Sequence, residues 1–154
     1  MPEPAIEPQL PRTRLDGAAI MSEAGWPVVA LTIRHDRIDN FWFSLIHELV
    51  HVNTHLGDSN SSFYDDLDAD PSDDALESEA DQLARDFLIP VEEWENSAAN
   101  LIPSHDTVVQ LANKLRIHPA IVAGRVRYDA GNFKILHGLV GYRGVRRLFP
   151  KIEW

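Results

Sequence analysis

Residues 47–51 read HELVH and lie inside DNFWFSLIHELVHVNTHL, one of the most apolar stretches of the chain. Two imidazoles and a carboxylate at this spacing suit metal binding and proton transfer when the segment is helical. Residues four apart on a helix point within about 40° of one another and stand about 6 Å apart along the axis. His47 and His51 can therefore reach one ion, with Glu48 beside them as a general base. Around the helix, Phe41, Val52, Leu45, Leu49, Trp42, Ile46, Val50 and Phe43 cover an arc of about 200°. Thr54, His47, His51, Ser44, His55 and Glu48 share the remaining stripe, and no Lys or Arg is on it. The competing reading is an amphipathic helix whose wet face happens to carry His and Glu. The wide apolar arc predicts a central helix.

A catalytic zinc site takes three protein ligands and leaves a position open to water. The pattern HExxHxxGxxH does not supply the third, because positions 54 and 57 are Thr54 and Gly57. His55 stands too far along the axis from His47 to share the ion, and is read as supporting the ligands. A carboxylate from ALESEADQLARDFLIP remains. With Leu76 at zero, Leu83, Leu76, Phe87, Ala80, Ala84 and Leu88 form the apolar face, Glu77 falls within it near about 100°, and Asp81 at its edge near about 140°. Glu79, Asp86, Gln82 and Ser78 point away. A carboxylate on a buried face is costly unless paired or metal-bound. Glu77 is therefore the expected third ligand. Asp81 is placed to accept a hydrogen bond from a ligand histidine's other nitrogen.

The elements that must hold these groups are legible in outline. The 154-residue chain is 44% hydrophobic and 25% charged, a globular composition. It has no cysteine, which removes disulfides and thiolate metal sites and suits a reducing, cytoplasmic setting. No apolar run approaches the roughly 18 residues of a membrane span. Residues 1–13, with four prolines, are expected to be a flexible leader, and 14–154 a single domain: a core at about 26–90 and a helical, basic part at about 91–154. LDGAAIMSEAG reads as a short helix ending at Gly25 and WPVVALTIRHD as a strand. A helix over about 41–55 is expected to be capped by Asp39 or Asn40. A long acidic loop over 58–74 and a helix over 75–89 follow. VEEWENSAAN, SHDTVVQLANKL and PAIVAGRVRY read as further helices, and the tail as coil or short strands. The fold class is α+β.

HELVHVNTH, followed about 26 residues later by ESEADQLARDFLIP, resembles the ImmA/IrrE family of zinc metallopeptidases. The likeness runs from about Trp26 to Pro90 and is weaker beyond. It implies a small gluzincin-like domain in which the HExxH helix packs against the second ligand-bearing helix and a short sheet. VVALTI corresponds to the family's edge strand, along which substrate lies. RHDRIDNFWFSLIHELVH is particularly similar to members fused behind a helix-turn-helix repressor domain, including antitoxin-type regulators. No such domain precedes it here, so the chain is expected to be an isolated C-terminal domain or a stand-alone protein. The implied activity is endopeptidase cleavage of a helix-turn-helix transcriptional repressor in a stress-response, mobile-element or toxin–antitoxin circuit. Zn²⁺ would be held by His47, His51 and Glu77, and Glu48 would be the base. Tyr64, His55, His105 and His137 are candidates for the oxyanion donor, with no ranking among them. The alternative is a non-proteolytic zinc-binding regulatory domain of an antitoxin-type regulator.

Charge bears on partners. Residues 113–154 hold nine Lys and Arg against two Asp and Glu, a net of +7, leaving -17 for the rest of a chain whose total is -10. TVVQLANKLRIHPAIVAGRVR has helix-turn-helix-like spacing. The acidic body nevertheless opposes a polyanion, so direct nucleic-acid binding is not expected, and Arg143, Arg146 and Arg147 are assigned to protein contacts or the fold. The acidic and basic parts could pair within the molecule or in a homodimer.

Overall fold

A computed structural model describes residues 16–56, 62–64 and 71–150, of which 62–64 and 71–74 by backbone alone. The expected leader at 1–13 lies outside the described residues, as does most of the acidic stretch at 58–74. The fold is α+β, with, among the described residues, a three-stranded antiparallel sheet of order β2-β1-β3 and six α-helices.

The first element departs from expectation. GAAIM forms strand β1, Gly17–Met21, and not a helix. Its residues are tolerant of either state, and pairing decides: Gly17 opposes Leu31 on β2, Pro27–Leu31, while Ala18 opposes Tyr64 on β3, Ser62–Tyr64. A central position satisfies the strand's backbone on both edges, which outweighs weak helix propensity. Gly25, read as a helix stop, instead takes φ 78 in the β1–β2 turn, where Ser22 N donates to Trp26 O. Among the described residues β2 is an edge strand, as the resemblance implies, with Val28 exposed.

Helix α1, Ile38–Val50, carries HELV. Its N-cap is Arg37, with no side-chain cap, and not Asp39 or Asn40. Asp39 lies inside the first turn, buried, and accepts from Arg37 Nε and Nη2 at 2.9 and 2.6 Å. The chain continues into a π-helical turn, His51–His55, closed by Leu56 N donating to His51 O at 2.8 Å. α1 packs against α2, Pro71–Leu88, against α6, Pro119–Asp129, and against β1 and β2. It is central in its neighbours but not buried all round: Trp42 and Leu49, on the apolar arc, stay over two-fifths exposed.

The main core lies further along. Ile89, Trp94, Ala99, Val108, Leu111, Ala112, Ile121, Val122, Ala123, Val126 and Val140 form one buried cluster. Apart from Ile89, just beyond the end of α2, they come from α3, Val91–Glu95, α4, Ala98–Leu101, α5, His105–Leu115, α6 and the tail. α5 starts with a capping box, Ser104 and Thr107 each accepting from the other's backbone N–H, and ends at Arg116 with φ 57. Pro119 opens α6 as expected. The tail forms two single 3-10 turns and an isolated bridge, Arg37 to Tyr142. It holds the β2–α1 loop: Asp36 Oδ1 accepts from Val145 N and Arg146 N at 2.9 and 3.0 Å, and Arg146 donates to Ile33 O.

Candidate metal centre

α1 and α2 approach through small residues. Ala80 and Ala84 are fully buried, whereas Leu83 and Phe87 are exposed. The packed face of α2 is therefore turned from the expected one toward Glu77, which brings that carboxylate closer to the middle of the α1–α2 contact. Small side chains at a helix contact shorten the interaxial distance, and the carboxylate spans it.

The expected ligands converge. His47 Nε2 and His51 Nε2 are 3.0 Å apart. Glu77 places Oε2 2.9 Å from His47 Nε2 and Oε1 3.2 Å from His51 Nε2. One ligand atom from each residue lies within 4.8 Å of the other two, so the three could hold a metal ion. A tetrahedral site with bonds of 2.0–2.1 Å has ligand atoms about 3.3 Å apart. The approaches here, which run to both carboxylate oxygens of Glu77, are tighter than that by up to a few tenths of an ångström, and imidazole nitrogen and carboxylate oxygen are donors a zinc site can use.

Further groups support the ligands. Asp81 Oδ1 stands 2.9 Å from His47 Nδ1, within ion-pair distance but out of line for a hydrogen bond. His55 Nδ1 lies 2.9 Å from His51 Nδ1, and His55 Nε2 lies 3.3 Å from Glu79 Oε2. The stack lies across the π-turn and repeats the four-residue spacing that sets His51 beside His47. Glu79, read as pointing away from the site, is mostly exposed yet reaches His55. Nothing local in the sequence marks that contact.

Glu48 is buried and lines a cavity together with His47, Glu77, Asp81, Asp16, Gly17 and Ser44. Gly17 was not among the expected site residues. A Cβ there would stand 2.3 Å from Glu48 Oε1, so the carboxylate occupies the space where any other residue's side chain would begin. His105 and His137 are not brought to this cavity. His105 is exposed at the start of α5, and His137 stacks on Tyr142 with ring centroids 4.5 Å apart. Tyr64 lies in β3, with its side chain outside the described residues.

Charge in the cluster is strongly coupled. Burial pulls the His47 pKa down, but contacts with Asp81 and Glu77 and the charge of Glu48 more than offset it, raising it from 6.5 to about 10. Burial pushes Glu77 up, and His47 and His51 reverse this, taking it from 4.5 to about 2. Without a metal, a proton on His47 thus supplies the positive charge that the surrounding carboxylates demand.

A family model described as the IrrE N-terminal-like domain, Peptidase_M78, matches residues 27–127. No curated protein and no solved structure matches the chain significantly. The matched span covers β2, α1 and its π-turn, α2 and the helices up to α6, so the cluster and most of the elements that position it fall inside it.

Proposed function

The chain belongs to the IrrE N-terminal-like peptidase family, and from that premise we propose that it is a zinc-dependent endopeptidase whose substrate is a helix-turn-helix transcriptional repressor. The observation that carries the chemistry is the meeting of His47, His51 and Glu77 beside a cavity that Glu48 also lines. Bound there, zinc supplies Lewis acidity that polarises a peptide carbonyl and brings the pKa of water toward neutrality. Glu48 takes a proton as the water oxygen bonds to the carbonyl carbon, and delivers it to the amine nitrogen as the C–N bond breaks. Its burial keeps the carboxylate aimed into the cavity. Among the described residues β2 is an edge strand, and an extended substrate can add beside it as a further strand.

A nucleic-acid role for α5 and α6 has less support. α6, which would have to enter a groove, is buried at Ala120, Ile121, Val122, Ala123, Val126 and Arg127. Its arginines are engaged within the fold: Arg125 pairs with Asp129 one turn along α6 at 2.9 Å, and Arg127 donates to the Phe133 carbonyl. We keep residues 14–154 as a single cytoplasmic domain in this reading.

The test is to express wild type and Glu48→Gln in cells and to label new protein N-termini. The expected result is a new terminus within one helix-turn-helix repressor in wild-type cells only. Purified wild type should carry about one zinc per chain, lost in His47→Ala, His51→Ala and Glu77→Ala and kept in Glu48→Gln. Zinc binding with no Glu48-dependent cleavage of any protein would favour the non-proteolytic regulatory reading.

A further inference from the structure

We infer that Glu79 and His55 form a relay that fixes the proton position and ring orientation of His51, making them positioning residues for the metal centre. This rests on the reading of His47, His51 and Glu77 as metal ligands. The argument is one of proton placement. A neutral imidazole has one N–H and one lone pair. If His51 turns its Nε2 lone pair to the metal, its proton must sit on Nδ1. That nitrogen faces His55 Nδ1 at 2.9 Å, so His55 must accept there and carry its own proton on Nε2. His55 Nε2 in turn faces Glu79 Oε2 at 3.3 Å, an acceptor in either case. The three groups are consistent with one arrangement only: His51 Nδ1–H donates to His55, and His55 Nε2–H donates to Glu79. The rings sit 4.9 Å apart, centroid to centroid, with planes 59° apart, so the contact also sets how His51 is rotated.

The fold is built to make this contact. His51 is 1% exposed and the His55 side chain 5%, so neither nitrogen at their contact is open to solvent. A π-turn spans these two residues, whose rings stand 4.9 Å apart. π-turns within α-helices occur often at functional sites. α2 supplies both ends of the system, Glu77 at the metal face and Glu79 behind it. His47 and His51 are thus supported differently, one by a carboxylate directly and the other by a carboxylate through a second imidazole.

The experiment measures zinc affinity by chelator competition and the visible spectrum of the cobalt-substituted protein, in wild type, His55→Ala, Glu79→Leu and Glu79→Gln. Loss of a group that orients a metal ligand costs about 10–100-fold in affinity. His55→Ala is expected in that range and Glu79→Leu near its lower end, each with an altered cobalt spectrum and unchanged circular dichroism. Glu79→Gln, whose amide oxygen still accepts from His55, should stay close to wild type. Because Glu79 is exposed, its variants remain informative if His55→Ala does not fold. A wild-type protein that binds zinc while His55→Ala and Glu79→Leu match it in affinity and cobalt spectrum would overturn the relay alone. A wild-type protein with no zinc affinity would overturn the metal reading and the relay with it.

Discussion

Gly17 shows how closely a single residue can govern the candidate base. Its missing side chain leaves room for the Glu48 carboxylate, which a Cβ would meet at 2.3 Å. Gly17→Ala should therefore keep its zinc and lose about 100-fold in peptide hydrolysis, the scale of a displacement near 1 Å at a reacting group. Zinc content and hydrolysis measured on one preparation check this, and full activity in Gly17→Ala would sink it. The coupled charges give a second expectation. In the metal-free protein His47 is held protonated toward pH 10 against an ordinary 6.5, so its contribution to stability is complete below 6.5 and fades as pH rises toward 10. Glu77 is held ionised toward pH 2 against an ordinary 4.5, so its contribution is complete above 4.5 and fades as pH falls toward 2. These are two views of one interaction. The urea-midpoint gap between metal-free wild type and His47→Leu should be widest between pH 4.5 and 6.5 and narrow on either side. Zinc must displace the His47 proton, so its affinity should rise with pH across that upper range. Calorimetry in buffers of different ionisation heat would count the protons released; a release of none would contradict the protonated resting state.

Among the elements, the α1–α2 pair was the most legible, because ligand placement there follows helical period. His47, His51 and Glu77 could be chosen from spacing and from the cost of a carboxylate on an apolar face, and the structure brings all three together. The rest was hidden for identifiable reasons. Period places residues around one helix but does not say which part of an apolar arc is covered, so the rotation of α2 onto Ala80 and Ala84 was not foreseen. The π-turn has no sequence signature, and the sequence reading did not place His55 against His51 Nδ1. GAAIM became a strand through its two neighbours, one of them 41 or more residues away in sequence. The small residues of α2 carry their own expectation. Ala84→Leu adds volume where there is none and should cost about 1–3 kcal/mol. By wedging α2 from α1 it should also weaken zinc binding, whereas Leu83→Ala, on the exposed side, should leave zinc affinity unchanged. Chemical denaturation and chelator competition separate the two effects; unchanged zinc affinity in a stably folded Ala84→Leu would show that the Glu77 reach tolerates a wider gap.

At the scale of the whole molecule, the basic tail is a fastener. Arg146 donates to Ile33 O at 3.1 and 2.9 Å, and Asp36 receives the backbone of Val145 and Arg146. Arg146→Ala and Asp36→Ala should each destabilise by about 1–3 kcal/mol, the cost of leaving such groups unpaired. Neither should confer or remove affinity for duplex DNA. Anisotropy titration at about 0.15 M salt should show no micromolar binding by wild type; steeply salt-dependent binding abolished in Arg146→Ala would reverse this assignment. The same fastener has a temporal side. Asp36 lies just ahead of the helix that bears HELVH, and its partners come 109 and 110 residues later. A chain emerging from the ribosome exposes that helix long before the residues that secure its entry. Until Val145 and Arg146 have been made, the loop that leads into the HELVH helix lacks the two backbone donors that later hold Asp36.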